Sequence, residues 1–239
     1  MALSQHQLGG MRITTDVDQV SGAVVCFTER AGGVSAGPYE SLNLSSAVGD
    51  DPAAVERNRG LIAAALGRRA EELTFVRQVH GTHVLEIDGP GASGEGDGLV
   101  TSSRDVVLGI LTADCAPVVI AGRGAVGIAH AGWRGLASGV IEAVVDAVGG
   151  PQRAWVGPCI HACCYHVGPD VTEAFAAAGL PLAAPDRVDI ADAARAALER
   201  AGVTWIDVDG SCTAHDARYF SYRRDGTTGR QAGFVMLGQ

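Results

Sequence analysis

The sequence predicts an α/β protein that folds as a single domain over residues 1–239, with a layered mixed sheet and flanking helices. The chain is 47% hydrophobic and 19% charged, so it can bury a substantial core. No interval resembles a linker, because there is no Ser/Pro-rich run, no charge block and no internal repeat. Segments typical of strands and of helices follow one another without regular βαβ alternation, which favours a sheet with some antiparallel pairing.

Short apolar runs predict the strands, and apolar residues at helical spacing predict the helices. The predicted strands cover residues 23–28, 73–79, 84–87, 106–111, 126–129, 154–156, 204–208 and 234–237. The predicted helices cover residues 52–66, 135–148, 170–178 and 190–201. The first helix has the clearest boundaries, since Asp51 can cap it, Pro52 suits its first position and Gly67 suits its end.

Composition excludes several functions. The net charge of −9 and the pI of about 5.2 argue against nucleic acid or an anionic membrane as the main partner. All 18 basic residues are Arg, which excludes lysine Schiff-base chemistry and leaves guanidinium groups as the only cationic clamp for phosphate. The chain begins without a secretory pattern, and no apolar run approaches the roughly 20 residues of a membrane span. We therefore expect a cytoplasmic protein, monomeric or homodimeric, whose six cysteines are thiols or ligands rather than disulfides.

Three residues at the ends of apolar runs are the candidates for chemistry. Cys115 follows Asp114 after one run, His130 ends a second run, and His80 lies after a third. Two imidazoles and one thiolate suit zinc, and a set of three ligands leaves the open position that a catalytic zinc site needs. The same residues also suit copper, or a Cys115 nucleophile with His130 as its base and His80 or Asp114 orienting the imidazole.

Two other motifs are weaker. The segment 89–94 matches G-x-G-x-x-G, but no helix pattern follows it, so a flexible loop is favoured over a dinucleotide site. The segment 159–166 contains Cys159, His161, Cys163, Cys164 and His166. These residues could bind metal if the segment folds back on itself, but Pro158 and the flanking glycines favour a tight surface loop with small thiols packed beneath it.

Motifs spread in order along almost the whole chain resemble the YfiH/YlmD family, which is also called the multicopper polyphenol oxidoreductase (laccase) family and, more recently, purine nucleoside phosphorylases. The matching segments are Arg30-Ala-Gly-Gly-Val-Ser, Ser41-Leu-Asn-Leu, Val48-Gly-Asp-Asp, Gln78-Val-His-Gly, Thr112-Ala-Asp-Cys, His130-Ala-Gly-Trp-Arg-Gly, Gly157-Pro-Cys-Ile and Ser221-Tyr-Arg-Arg-Asp-Gly-Thr-Thr-Gly-Arg. One segment departs from the family pattern, since His161-Ala162 and His166 replace the usual Gly-Pro and Glu.

The resemblance implies a YfiH-like fold and a zinc site formed by His80, Cys115 and His130. It implies phosphorolysis of adenosine, inosine and S-methyl-5′-thioadenosine to a free base and a ribose 1-phosphate, together with deamination of adenosine. Two alternatives stay open: a copper-dependent polyphenol oxidase of the laccase type, and a cell-wall quality-control protein that uses the same Cys/His site.

The resembling motifs also supply candidates for substrate binding. Arg30 and Arg224 are predicted to bind phosphate, because they lie on loops and arginine pairs bidentately with phosphate. Asn43 and Gln78 are predicted to contact substrate. Asp114 is the predicted general acid or base for deamination, since it is the carboxylate nearest in sequence to the proposed zinc ligands.

Overall fold

The strands of this computed structural model, which describes residues 3–8, 10–92, 94–150 and 153–238, form two six-stranded sheets. The strands are β1 (Ser4–Leu8), β2 (Met11–Val17), β3 (Ala23–Thr28), β4 (Leu73–Thr74), β5 (Val84–Glu86), β6 (Gly98–Thr101), β7 (Val107–Thr112), β8 (Ala116–Ala121), β9 (Val126–Ala131), β10 (Arg153–Val156), β11 (Trp205–Val208) and β12 (Gln231–Leu237). The helices are α1 (Pro52–Ala65), α2 (Trp133–Ser138), α3 (Val140–Val148), α4 (Pro169–Ala177), α5 (Ile190–Arg200) and the short α6 (Tyr222–Asp225).

Both sheets are mixed. The first has the order β1-β2-β3-β12-β7-β4, and its neighbouring strands are antiparallel except for β4 and β7. The second has the order β11-β10-β8-β9-β6-β5, with parallel pairs at its two edges and antiparallel pairs between them. The predicted α/β class with a mixed arrangement of strands is therefore confirmed, although the strands divide between two sheets.

The two sheets pack face to face, and helices cover their outer faces. Val25 and Phe27 of the first sheet meet Val119 and Trp155 of the second in one buried cluster. The opposite face of the first sheet packs on α1, whereas the opposite face of the second packs on α2 to α5. Side chains alternate between the two faces of a strand, so a strand covered on both faces is buried along its whole length. β8 is such a strand and is apolar throughout, and β12 is another, apolar after Gln231.

The helix boundaries follow local chemistry. Asp51 caps α1, accepting a hydrogen bond from the backbone of Ala53 at 3.0 Å. Asp189 caps α5, accepting bonds from Ala191 and Asp192. The prediction of a single helix over residues 135–148 is wrong in one respect, because Gly139 divides this segment into α2 and α3. The φ of Gly139 is 92°, a left-handed conformation that interrupts the helix.

Four strands lie outside the predicted set: β1, β2, β6 and β8. β1 is exposed along its whole length, so it carries no apolar pattern. The strand predicted over residues 73–79 is much shorter, since only Leu73–Thr74 pairs with β7. The rest of that segment forms the loop that carries His80. Among the described residues, no helix combines the length and the apolar character needed to cross a membrane.

Candidate metal centre and its cavity

The candidate site lies where the chain passes from one sheet to the other. β7 of the first sheet ends at Thr112, and β8 of the second begins at Ala116. The turn between them carries Asp114 and Cys115. Because β9 pairs with β8, with His130 opposite Pro117, the strand pairing brings His130 to the same rim. Functional side chains commonly lie on such strand-end loops, where a rigid scaffold positions them.

His80, Cys115 and His130 converge at this rim. One ring nitrogen of each histidine and the Cys115 sulfur all lie within 4.8 Å of one another. The two imidazole rings meet edge to face, with centroids 4.7 Å apart. His130 is buried, Cys115 is half-buried, and His80 is exposed, so the group opens on one side. The structure thus provides the convergence on which the hypothesis of a three-ligand metal site depends.

Asp97, which is not among the residues predicted from sequence, holds two of these residues in place. This fully buried carboxylate accepts a hydrogen bond from His130 Nδ1 at 2.7 Å. It also accepts bonds from the backbone N–H groups of Val79, His80 and Gly81, at 3.0, 2.9 and 2.7 Å. Burial alone would raise the pKa of Asp97, but the bonds from His130, Gly81 and Val79 outweigh it and lower that pKa to about 2.

The signal for Asp97 in the sequence was weak, because an aspartate between glycines before a strand is typical of a turn. Its contacts match a recurrent feature of metal sites, in which a ligating histidine donates its other ring N–H to a carboxylate. That bond directs His130 Nε2 towards Cys115 and fixes the tautomer that a metal needs.

The thiol of Cys115 and the imidazole of His130 form a coupled pair. Burial opposes ionisation of Cys115, but the charge of His130 and hydrogen bonds from both imidazoles outweigh it and lower its pKa to about 6. Burial likewise opposes protonation of His130, but the Cys115 thiolate and Asp97 raise its pKa to about 9. At neutral pH the metal-free pair is therefore a thiolate beside an imidazolium.

The backbone at this rim is constrained. His80 and Asp114 have φ values of 61° and 94°, and they are the two non-glycine residues with positive φ in the described part of the chain. Such conformations cost about 1–3 kcal/mol each and concentrate at functional sites. Gly132 leaves room for the triad, since a Cβ atom there would lie 2.9 Å from the Cys115 sulfur and 3.0 Å from His80 Cδ2.

Asp114 links three segments around the site. One carboxylate oxygen accepts a bond from the Thr213 hydroxyl at 2.7 Å, and the other accepts one from the backbone N–H of Arg223 at 2.7 Å. Its backbone carbonyl accepts a further bond from Ile160. These contacts indicate a positioning role, whereas the predicted role as general acid or base stays a prediction.

A cavity of about 610 Å³ opens over the triad. This volume is within the range of small-molecule sites, roughly 300–1,000 Å³. The aromatic side chains of Trp133, Tyr165 and Tyr222 form part of its wall. Four arginines line it as well, so the cavity is cationic although the chain as a whole is acidic: Arg77, Arg134, Arg223 and Arg230.

Three of these arginines, Arg134, Arg223 and Arg230, have no carboxylate partner among the described residues, and the Arg223 guanidinium donates to the carbonyl of His166 at 3.0 Å. Arg134 stacks on Trp133, with its Cζ atom 4.2 Å from the ring centroid, and its guanidinium donates no hydrogen bond within the described part of the chain. Arg230 is half-buried, and its Nη1 donates to the carbonyls of Thr228 and Gly229 at 2.9 Å each. Burial lowers the pKa of Arg230, which an anion in the cavity would reverse.

The two arginines predicted to bind phosphate lie elsewhere. Arg30 is not part of the cavity lining, because its Nε donates to the carbonyl of Glu40 at 2.8 Å and its guanidinium stacks on Phe220. Arg224 also lies outside the lining. Its guanidinium bonds to the Tyr219 carbonyl at 2.7 Å and to the Asp225 carboxylate. The Arg224 guanidinium is therefore engaged by protein atoms and Arg30 is engaged through its Nε, and phosphate binding by these two residues stays a prediction.

Gln78 lines the cavity, whereas Asn43 does not. The Gln78 amide pairs with Leu111, donating to its carbonyl at 2.8 Å and accepting from its N–H at 2.9 Å. Asn43 is fully buried, where its amide bonds to Ser45, Asp50 and the backbone of Arg230. Asn43 thus shapes the segment before Arg230 rather than facing a ligand in the cavity.

The donor set of the triad fits a metal ion. Two imidazole nitrogens and one sulfur suit zinc or copper and do not suit magnesium or calcium, which prefer oxygen. Asp97 behind His130 and the space beside Gly132 are compatible with such an ion. The residues do not by themselves select between zinc and copper.

Comparison with known proteins supports the resemblance. The model of the family described as multi-copper polyphenol oxidoreductase laccase matches residues 24–238. A purine nucleoside phosphorylase of Streptomyces coelicolor is 43% identical over 237 residues, covering 92% of this chain and 98% of that protein. The purine nucleoside phosphorylase YfiH of Escherichia coli is 40% identical over 233 residues, covering 92% of this chain and 96% of that protein.

A solved structure has the same fold. The crystal structure of YlmD from Geobacillus stearothermophilus matches this chain with a TM-score of 0.89 at 33% sequence identity, covering 98% of each chain. The family model, the two relatives and this structure each extend over most of the chain. This chain therefore belongs to the multi-copper polyphenol oxidoreductase laccase family, together with the YfiH-type proteins that are named purine nucleoside phosphorylases.

Proposed function

We propose that this protein is a zinc-dependent purine nucleoside phosphorylase that converts adenosine, inosine and S-methyl-5′-thioadenosine to a free base and a ribose 1-phosphate. The names of its relatives support an enzyme of this kind. The observation that carries the proposal is the cavity itself, which combines the His80–Cys115–His130 group with an aromatic wall and with guanidinium groups that have no carboxylate partner among the described residues.

Phosphate is assigned to the arginines of the cavity. Arg134 and Arg230 take the role predicted from sequence for Arg30 and Arg224, because their guanidinium groups have free donors and line the cavity. A phosphate ion accepts paired N–H bonds from arginine and offsets the cost of holding Arg230 half-buried. The held phosphate is then positioned to attack C1′ of the ribose as the bond to the base breaks.

The nucleoside is assigned to the aromatic wall. Trp133 and Tyr165 both follow the triad in the sequence and line the cavity, so a purine can stack on one of their faces. Asp114, Thr213 and Arg223 hold the surrounding loops together through the Asp114 carboxylate. These bonds keep the cavity walls in place during binding.

His80, Cys115 and His130 would hold the zinc ion. When bound, zinc supplies Lewis acidity towards the nucleoside in the cavity. Asp97 keeps His130 in the tautomer that leaves Nε2 free, and Gly132 leaves space on the same side of Cys115 and His80. We also propose deamination of adenosine at this site, with Asp114 as the nearest carboxylate to the triad in sequence.

The test is the phosphate dependence of nucleoside cleavage. Zinc-loaded protein incubated with inosine should release hypoxanthine and ribose 1-phosphate only when inorganic phosphate is present, as measured by chromatography of both products. The variants His80→Ala, Cys115→Ala and His130→Ala should lose zinc and this activity together. His83→Ala is the matched control, since this exposed histidine is on the same loop as His80 but outside the cavity lining.

Two results would contradict the proposal: cleavage that is independent of phosphate, and triad variants that keep zinc and full turnover. Deamination is measured separately as conversion of adenosine to inosine without phosphate. Asp114→Asn should slow that conversion if Asp114 transfers the proton.

A second candidate function is copper-dependent oxidation of phenols. The family description and the His₂Cys donor set support it, since these ligands also suit copper. An assay in the absence of oxygen separates the two candidates, because phosphorolysis continues without oxygen and phenol oxidation stops. Metal analysis of protein purified without added copper provides the second criterion.

A further inference from the structure

A second group of sulfur ligands lies outside the triad. The thiols of Cys163, Cys164 and Cys212 all lie within 4.8 Å of one another, and the sulfurs of Cys163 and Cys164 are 3.6 Å apart. Cys163 and Cys164 belong to the segment singled out from sequence, whereas Cys212 is nearly 50 positions further along the chain. Cys159, His161 and His166, the other candidates in that segment, are not members of this group.

The fold brings the three sulfurs together through the backbone. Cys159 and Cys212 form an isolated parallel bridge, and the N–H of Thr213 donates to the carbonyl of Cys159 at 2.9 Å. The N–H of His161 donates to the Cys212 sulfur at 3.4 Å. The turn that follows His161 then directs both Cys163 and Cys164 towards Cys212, although adjacent residues usually diverge.

The separations suit one shared ion. Two sulfurs bound to the same tetrahedral zinc at about 2.3 Å lie about 3.8 Å apart, close to the distance between Cys163 and Cys164. Cys212 is buried and Cys163 is exposed, so the group has both a fixed inner ligand and access from solvent. We propose that Cys163, Cys164 and Cys212 form a second metal site, specific for a thiophilic d¹⁰ cation, zinc or Cu(I).

His161 is the nearest additional ligand in sequence. Its Nδ1 interacts with the Asp189 carboxylate at 3.2 Å, and its Nε2 is buried without a hydrogen-bond partner in the described ranges. This arrangement repeats that of Asp97 and His130 at the first site, where the carboxylate orients a ligating ring. His161 is nevertheless outside the group whose ligand atoms all lie within 4.8 Å of one another, so the site consists of three thiolates, a set that suits Cu(I), whereas structural zinc usually takes four protein ligands.

The second site would support the wall of the first. Ile160 and Tyr165, on either side of the cysteine turn, line the cavity. The hydroxyl of Thr213, next to Cys212, donates a hydrogen bond to the Asp114 carboxylate. An ion that joins the turn to Cys212 would therefore hold both segments against the cavity, while the triad keeps its own ligands.

The test measures metal stoichiometry rather than activity. Reduced, metal-free protein is loaded under anaerobic conditions with zinc alone or with Cu(I) alone, and retained metal is counted after competition with a chelator. Cys163→Ser/Cys164→Ser should lose one equivalent relative to the wild type and keep the metal held by the triad. Cys115→Ser should show the reverse, losing the triad metal and keeping the second equivalent.

X-ray absorption of metal-loaded Cys115→Ser then reports the ligands of the second ion. We expect three sulfur neighbours in that spectrum. Equal stoichiometry in the wild type and Cys163→Ser/Cys164→Ser would overturn the proposal. A spectrum without sulfur neighbours would overturn it as well. Neither result depends on whether the protein cleaves nucleosides.

Discussion

Asp97→Asn is the sharpest test of how the first site is held. Asp97 Oδ1 accepts bonds from the N–H of His80 and from His130 Nδ1, while Oδ2 accepts bonds from the N–H groups of Val79 and Gly81. An asparagine amide has a single acceptor oxygen. Whichever way the amide is turned, its NH₂ group therefore faces two donors and loses both bonds.

The structure sets the scale of the effect. Hydrogen bonds to a charged group contribute about 1.5–3 kcal/mol each, so losing two costs about 3–6 kcal/mol. This is a large part of the roughly 5–15 kcal/mol that stabilises a typical domain. Metal affinity should also fall about 10- to 100-fold, as it does when the carboxylate behind a ligating histidine is removed.

The assays are chemical unfolding of the metal-free protein and competition of zinc against a chelator. Asp16→Asn is the control, because Asp16 is also a buried carboxylate, bonded to Trp155 Nε1 at 3.0 Å, but lies outside the cavity. The control should lose stability and keep its metal affinity. The role of Asp97 in positioning the metal ligands is refuted if Asp97→Asn binds zinc as tightly as the wild type.

The effect also has a defined pH dependence. The pKa of Asp97 is lowered in the folded state, from an ordinary 3.8 to about 2. The stabilising contribution of the ionised Asp97 is therefore complete above about pH 4 and is lost as the pH falls from about 4 to about 2. The difference in unfolding free energy between the wild type and Asp97→Asn should shrink between about pH 4 and pH 2.

Three further predictions concern the cavity. Gly132→Ala should weaken metal binding by about 1–3 kcal/mol, measured by chelator competition, because the new Cβ overpacks the Cys115 sulfur at 2.9 Å; unchanged affinity would show that this contact relaxes freely. In metal-free protein, the rate of Cys115 alkylation, measured by peptide mass spectrometry, should rise with pH and have its midpoint near pH 6. In His130→Ala that midpoint should move upwards, because the charge that stabilises the thiolate is removed. Arg230→Met should raise the KM for phosphate roughly 10- to 150-fold, the equivalent of about 1.5–3 kcal/mol for a charged hydrogen bond, whereas the exposed Arg57→Met should leave it unchanged.

Part of the fold was predictable because its signals are local. The strand predicted over residues 23–28 coincides with β3, and the helix that starts after Asp51 begins at Pro52 as its cap requires. By contrast, β1 has only exposed residues and is held by backbone pairing with β2, so no pattern of apolar side chains predicts it. The division of the strands between two sheets is likewise a matter of long-range pairing.

The sequence by itself determined which residue types are available: two histidines and a cysteine close after apolar runs, and arginine as the basic residue. Only the tertiary structure decided which of them meet. Arg224 and Arg230 lie in one motif, yet the donors of Arg224 are taken by backbone carbonyls and Asp225, whereas Arg230 lines the cavity. Asp97 behind His130, and Cys212 beside Cys163 and Cys164, depend in the same way on contacts between segments far apart in the chain. Spacing along the chain carries no record of such contacts, because they arise from strand pairing and loop packing rather than from local conformational preference.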